Sequence, residues 1–435
     1  MKSHPSPSSR RDFLKQGAVF AAGASVLNLA HAAGKEPPLK VAIVGCGGRG
    51  ARPKQGALQN FIDAANLLGR EVDVVAVADC FARSAQTAAE NFGLPRSRAI
   101  AGFDAYKRVM ESDADYVLLT TPPAFRPLHL AAAVAAGKHV FFEKPVAVDP
   151  VGVRKVIEIG EAARAKGLCL VAGTQRRHDL AYLTNKAQID AGAIGTILGG
   201  TVTWDGQVPW VAPRQPGQSN RDYVVRNWLN FAELSGDHIC EQHVHNLDVA
   251  NWFIGRTPVA AVGYGGRLRR TTGNQYDFFS VDYDYGDGVH IHSQCRQISG
   301  CYNRVGEFFR GTEGQVFGGG KLTGRSVSTP SIQVRSENAM VQEHVNFIQG
   351  VLTGRPENRA REVAEATMTA IMGRISAYTG KLVRWRELMD DPASPYYNLS
   401  LSPAAADFER SADVALPAET APLPGDGAEL RVRPA

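Results

Sequence analysis

The sequence predicts two α/β domains in tandem: a doubly wound parallel sheet, then a domain built on a large open, mainly antiparallel sheet. Three observations predict this. Apolar strands alternate with alanine-rich helical stretches from Leu39 to Ala172. A glycine-rich turn joins the first strand to the first helix. Beyond residue 172 the apolar positions fall into longer segments of period two. With 435 residues, 44% of them hydrophobic, the chain is long enough to fill two cores.

The chain begins differently. Ser9-Arg10-Arg11-Asp12-Phe13-Leu14-Lys15 is a twin-arginine export pattern, followed by a weakly apolar run and by Ala30-His31-Ala32, an A-x-A cleavage site. Residues 1–33 are therefore expected to be a signal peptide handled by the twin-arginine export machinery, and the mature protein to be periplasmic. The apolar run is too short and too broken by glycine to span a bilayer comfortably. Without residues 1–33 the net charge falls from +5 to +2, which gives no support to nucleic-acid binding. Export permits disulfides, yet the six cysteines have no regular spacing, and only a Cys295 to Cys301 bridge suggests itself.

From residue 34 to 172 the elements read as one nucleotide-binding domain. "LKVAIV" is a buried strand leading into Gly45-Cys46-Gly47-Gly48-Arg49-Gly50, then a helix, then the strand "VDVVAVAD" ending at Asp79. Glycines at this place allow a tight turn and let backbone N–H groups approach a pyrophosphate at the helix N-terminus. A carboxylate at Asp79 would bind the adenosine ribose hydroxyls and repel a 2′-phosphate, favouring NAD over NADP. Twenty-eight residues separate Gly50 from Asp79, more than usual, and an insertion near "NLLGRE" accounts for it. Later strands end at Thr120-Thr121-Pro122-Pro123, Glu143-Lys144-Pro145 and Gly173-Thr174-Gln175, so Thr121, Pro122, Glu143, Lys144 and Gln175 should line one crevice.

Residues 173–389 supply the second domain: strands in "TILGGTVTWDG", "PVAAVGYGGRL", "FFSVDYDYGDGVHIHSQCRQ" and "GQVFGGGKL", and helices in "EHVNFIQGVLTG" and "REVAEATMTAIMGRISAYTGK", which are expected to pack back on the first domain. Residues 390–435, rich in proline, read as an extended or disordered arm. Within this domain His238, Glu241, His245 and Asp248 are spaced by three, four and three, the repeat of one helical face. Such a stripe serves acid–base chemistry, metal ligation or plain solvation.

These residues resemble the Gfo/Idh/MocA oxidoreductase family over roughly Leu39 to Trp385. The resemblance rests on the glycine loop, on Glu143-Lys144-Pro145 and on His245-Asn246-Leu247-Asp248. It implies that the nucleotide-binding domain is a Rossmann domain. It implies that Lys144 lies beside the nicotinamide and the substrate hydroxyl, with a cis peptide to Pro145, and that Gln175 and Arg177 contact cofactor or substrate. The family pattern D-x-G-x-H-x-x-D is altered here, since Glu241 replaces the first acid and His243 the glycine. Under this resemblance His245 is the base, Glu241 orients it or binds a substrate hydroxyl, Lys144 steadies alkoxide charge, and no metal is needed. It further implies a carbohydrate or cyclitol substrate, a tightly held and recycled NAD, and a homo-oligomer, dimer or tetramer. A redox-neutral glycosidase, working by oxidation, elimination and re-reduction, is the alternative.

Overall fold

The computed structural model describes residues 36–401 and 403–425; the export pattern and cleavage site expected within residues 1–33 lie outside the described residues. Strands β1 (Leu39–Val44), β2 (Val72–Asp79), β3 (Ala99–Ala101), β4 (Tyr116–Leu119), β5 (His139–Phe142) and β6 (Leu170–Ala172) form a six-stranded sheet ordered β3-β2-β1-β4-β5-β6. Every pairing in it is parallel. Val41, Ala42 and Ile43 on β1 are fully buried, as are Val117, Leu118 and Leu119 on β4, because helices cover both faces. Strand order reverses between β1 and β4, and a crevice opens beyond the carboxyl ends of the strands there.

The long spacing before Asp79 has a different origin from the one read in the sequence. A four-residue helix, Gly48–Ala51, is separated from helix Ala57–Leu67 by a turn over residues 52–56. Pro53 has no N–H to continue a helix, and Lys54 takes φ 68°. Near "NLLGRE" only residues 68–71 separate that helix from β2.

The second sheet has eight strands: β7 (Ile197–Gly206), β8 (Ala260–Gly266), β9 (Phe278–Asp284), β10 (His290–Gln297), β11 (Arg304–Gly311), β12 (Gln315–Val316), β13 (Leu322–Thr323) and β14 (Val383–Arg384). Its order is β13-β12-β11-β7-β10-β9-β8-β14, antiparallel except for the β7–β10 pair. The segment "FFSVDYDYGDGVHIHSQCRQ" is a hairpin, β9 and β10, that turns over residues 285–289. Strand β11 was not legible: Arg304, Glu307 and Arg310 recur every third residue and mask its alternation. One face of the sheet packs on helices Val244–Ile254 and Ala360–Thr379; Phe279, Val281 and Tyr283 of β9 point into that layer.

The late helices join the two halves. Helix Ala360–Thr379 lies between the second sheet and helix Pro150–Ala165 of the first domain. Helix Ala339–Leu352 packs on Ala57–Leu67, with Phe347 set against Phe61 and Tyr116 at centroid distances of 6.3 and 5.4 Å. The described part of the segment after Asp390, expected as an extended or disordered arm, packs against the rest of the chain. Leu401 N donates to the Asp149 carboxylate at 2.9 Å, Phe408 is wholly buried, and the Tyr276 hydroxyl donates to Pro422 O at 2.8 Å. All six cysteines are free, so the suggested Cys295 to Cys301 bridge is absent; Cys295 is buried in the inward row of β10 and Cys301 is exposed in the loop beyond. No helix among the described residues is long and apolar enough to cross a membrane.

Removing the Phe347 ring should open a cavity where the late helix meets the first domain. The Phe347→Ala variant is expected to lose about 3–5 kcal/mol of unfolding free energy in denaturant titration, and a loss under about 1 kcal/mol would show that this contact does not hold the helix.

Candidate active site

A cleft of about 600 Å³ runs along the crevice, walled by the ends of the first-domain strands and by residues 204–245 of the second domain. Its floor is the glycine loop. Gly45 has φ 102°, and a Cβ there would come within 2.8 Å of the Thr120 and Thr121 backbone. A Cβ on Gly50 would lie 1.9 Å from Gly45 O, whereas Gly47 and Gly48 face open space within the cleft. The loop is thus tight on its inner side and open to the cleft on its outer side, the arrangement in which backbone N–H groups can approach a diphosphate. Asp79 lines the same cleft, with one carboxylate oxygen accepting from Cys46 N at 2.8 Å and the other from Phe81 N at 2.9 Å. Burial raises its carboxyl above the usual aspartate value despite these two donors.

Arg49 also lines the cleft, and its guanidinium binds the Glu143 carboxylate, approaches Glu343 at 3.6 Å and donates to Met340 Sδ at 3.0 Å. Glu143 in turn fills the space over Gly173, where a Cβ would fall 2.5 Å from Oε2. Thr121 and Pro122 form the wall after β4; the buried Arg126 donates to Leu119 O at 2.7 Å and to Thr121 O at 2.5 Å, fixing that turn. Arg126 and His129 were not anticipated as lining residues, although two polar side chains in the apolar run "RPLHLAAAVA" were a signal.

The reactive end gathers Lys144, Gln175, Glu241 and His245. The Lys144–Pro145 peptide is cis. Lys144 Nζ donates to the Glu241 backbone carbonyl at 2.6 Å and lies 3.4 Å from its carboxylate. His245 stacks on Trp204 at 5.7 Å with an interplanar angle of 22°, and its ring nitrogens make no hydrogen bond among the described residues. Burial, then the positive charges of Lys144, Arg176 and Arg49, push its imidazole well below 6.5 and hold the ring in its neutral form. Two further acceptors, Glu241 Oε2 and Gln175 Oε1, are buried without a partner in a cleft where such atoms are costly unless a ligand meets them.

The expected helical stripe does not lie on one helix. Residues 238–241 and 244–254 form two helices broken at Gln242 and His243, which turns Glu241 and His245 to the cleft and the other two away. His238 Nδ1 bonds to Asp237 at 2.9 Å, and Asp248 receives a bidentate pair from Arg177 at 2.8 and 2.9 Å. Arg177, expected at the substrate, is therefore behind the wall with its guanidinium over Trp252. The short helix Gln175–His178 presents only Gln175 to the cleft. Arg176 binds Glu307 at 2.5 Å and backs Trp204. Among the described residues no group of three or more His, Cys, Asp or Glu is placed to hold a metal ion.

Asp237 anchors this arrangement. It is fully buried with φ 68°, and its carboxylate accepts from His238 N at 2.6 Å, His238 Nδ1, Tyr276 N at 3.0 Å and the Tyr378 hydroxyl at 2.5 Å. Burial alone would raise its carboxyl, but His238, Tyr378 and Arg270 outweigh it and leave it below the usual value.

Residues 39–174 match the description "Oxidoreductase family, NAD-binding Rossmann fold", and residues 182–317 match "GFO/IDH/MocA C-terminal domain". Together these cover more than half of the sequence, and the chain belongs to the Gfo/Idh/MocA oxidoreductase family. It is 28% identical to the inositol 2-dehydrogenase of Rhizobium meliloti (strain 1021) over 48% of this chain and 56% of that protein. To the inositol 2-dehydrogenase of Burkholderia cenocepacia (strain HI2424) it is 29% identical over 58% of this chain and 66% of that one. The chain thus matches less than two thirds of the length of these curated relatives. The fold is also that of the WlbA dehydrogenase from Bordetella pertussis, solved with NADH and UDP-GlcNAcA, at a TM-score of 0.61 and 20% identity over 80% of this chain and 99% of that one.

The two kinds of glycine predict opposite behaviour. Gly50→Ala should disrupt the loop and lower the thermal midpoint by several degrees, since its Cβ meets a backbone carbonyl. Gly48→Ala should leave the unliganded midpoint within about 2 °C yet weaken dinucleotide binding at least about tenfold; unchanged binding in a titration would remove the loop from the cofactor site.

Proposed function

We propose that this chain is an NAD-dependent oxidoreductase that interconverts a secondary hydroxyl and a ketone on a sugar, sugar derivative or cyclitol. One observation carries the reading: a glycine cradle open to the cleft and a lysine–histidine pair line one cleft, beside two buried acceptors that lack partners among the described residues. Backbone N–H groups at Gly47 and Gly48 hold the diphosphate, and Asp79 takes the ribose hydroxyls, its charge disfavouring a 2′-phosphate and hence NADP. The dinucleotide, when bound, supplies the hydride acceptor. Lys144 donates to the reacting oxygen and stabilises negative charge developing on it, while His245 takes the hydroxyl proton and returns it in the reverse direction. Glu241 Oε2 and Gln175 Oε1 accept hydrogen bonds from neighbouring hydroxyls, which suits a polyol better than a simple alcohol. The inositol 2-dehydrogenases among the relatives support this substrate class.

The pattern Ser9-Arg10-Arg11-Asp12-Phe13-Leu14-Lys15 supports export through the twin-arginine machinery to the periplasm, where a cofactor must travel with its protein. The uncovered face of the second sheet supports a homo-oligomer: Val262 and Tyr264 of β8 are 49% and 63% exposed on it. The deciding experiment denatures purified protein, quantifies released dinucleotide, and assays the native form on sugars, cyclitols and aryl glycosides. Turnover that needs a second carbonyl compound establishes the oxidoreductase. Aglycone release with no acceptor establishes the oxidation–elimination cycle instead, and absence of any dinucleotide binding defeats both.

Replacing Lys144 with Ala, or His245 with Asn, should lower kcat by about 10²–10⁴-fold while dinucleotide binding, followed by fluorescence titration, persists. The pH profile offers a sharper check. A base acts unprotonated, so its activity fails only as pH falls through its folded-state pKa, and for His245 that lies well below 6.5. kcat/KM should therefore stay flat between about pH 6 and 8; an acid limb within that range that persists in the residual activity of His245→Asn would place the required base on another residue.

A further inference from the structure

The adenosine end of the cleft is closed by the second domain. Val225 and Trp228 line it opposite Asp79, Cys80, Phe81 and Phe103. The guanidinium of Arg226 lies 4.2 Å over the Phe81 ring, and that of Arg221 lies 4.2 Å over Phe103. Both arginines belong to helix Asn220–Arg226, which forms a roof over this end.

Residues 403–415 lie across the seam between that roof and the first domain. On the first-domain side the buried Phe408 ring meets Phe125 at 5.2 Å and Phe103 at 6.2 Å. Its neighbour Glu409 accepts from the Tyr106 hydroxyl at 2.9 Å and from Lys107 Nζ at 2.6 Å. On the roof side Arg221 Nη1 donates to Phe408 O at 3.1 Å, Arg221 N to Ala412 O at 3.3 Å, and Asn220 Nδ2 to Val414 O at 3.2 Å. Phe103, Tyr106 and Phe125 are themselves cleft-lining residues, so the segment grips the outer surface of the wall whose inner surface faces the cofactor.

We infer that residues 403–415 are a latch that holds the roof helix down over the adenosine half of the bound dinucleotide, so that cofactor release waits on unlatching. A dinucleotide enclosed in this way leaves only when the roof lifts, and lifting breaks contacts on both sides of the seam. The latch adds no group to the reacting end, so it governs retention without altering hydride or proton transfer. This inference rests on the dinucleotide reading given above.

The test uses the full chain loaded with NADH. Dissociation is followed by loss of cofactor fluorescence after adding excess NAD, in the unaltered protein and in Phe408→Ala and Glu409→Ala. Each variant is checked by its thermal midpoint; the Glu409 side chain is 18% accessible, so its removal should spare the fold if Phe408→Ala does not. The expected result is release accelerated at least about tenfold in both, with kcat at saturating NAD within about twofold. ADP-ribose, which keeps the adenosine half and lacks the nicotinamide, should show the same acceleration when its release is followed by the rise in fluorescence as excess NADH takes its place. Release at the unaltered rate in a folded Glu409→Ala protein overturns the latch, as does acceleration for NADH without acceleration for ADP-ribose. If the chain binds no dinucleotide at all, the functional reading falls with it, whereas binding with unchanged release removes only the latch.

Discussion

The buried carboxylate of Asp237 is the contact on which the reactive end depends. It sits in a left-handed backbone conformation that costs a non-glycine residue about 1–3 kcal/mol, and it satisfies donors from three separate parts of the chain. Those donors are the start of the helix that ends at Glu241, Tyr276 two residues before β9, and the long helix Ala360–Thr379 that runs back to the first domain. A charge taken out of water is tolerated only when met this fully. By tying the chain down at residue 237, the carboxylate sets where Glu241 emerges. The Glu241 carbonyl then receives the Lys144 ammonium, so the lysine of one domain and the histidine of the other are indexed to the same point.

A second buried grouping does the same work at the other end. Arg49, in the glycine loop, is shared between Glu143, which precedes Lys144, and Glu343, on a helix that arrives some three hundred residues later. Burial raises the Glu343 carboxyl well above its ordinary value, with Arg49 opposing the rise. The glycine loop, the residue before Lys144 and the late helix therefore meet at one guanidinium, in addition to their packing contacts.

Much of this was legible in the sequence because strand, turn and helix signals agreed with one another. The glycine loop, Asp79, Glu143 and Lys144 reach one cleft, as the alternation of apolar strands and glycine turns implied, and Glu241 and His245 join them there, as the family resemblance implied. What escaped detection were features that periodicity does not encode. A helical spacing of three, four and three cannot reveal that the helix breaks after Glu241, so His238 and Asp248 were grouped with residues whose environment they do not share. Arg177 follows Gln175 by two residues, but a tight turn reverses its direction, and its partner Asp248 lies 71 positions away. The proline-rich composition after Asp390 suggested looseness, yet isolated residues such as Phe408 find buried seats on surfaces assembled from distant parts of the chain.

The return of helix Ala339–Leu352 to the first domain has a consequence for biosynthesis. Phe61, Phe141, Cys169 and Val171 share a core with Val345, Phe347 and Ile348, so the nucleotide-binding half lacks part of its interior until the ribosome has passed residue 350. A chain arrested earlier presents an apolar flank that its own later sequence is meant to cover, the kind of transiently exposed surface that favours aggregation. The two halves of this molecule are consequently not modules that mature one after the other; the first is completed only by the last third of the polypeptide.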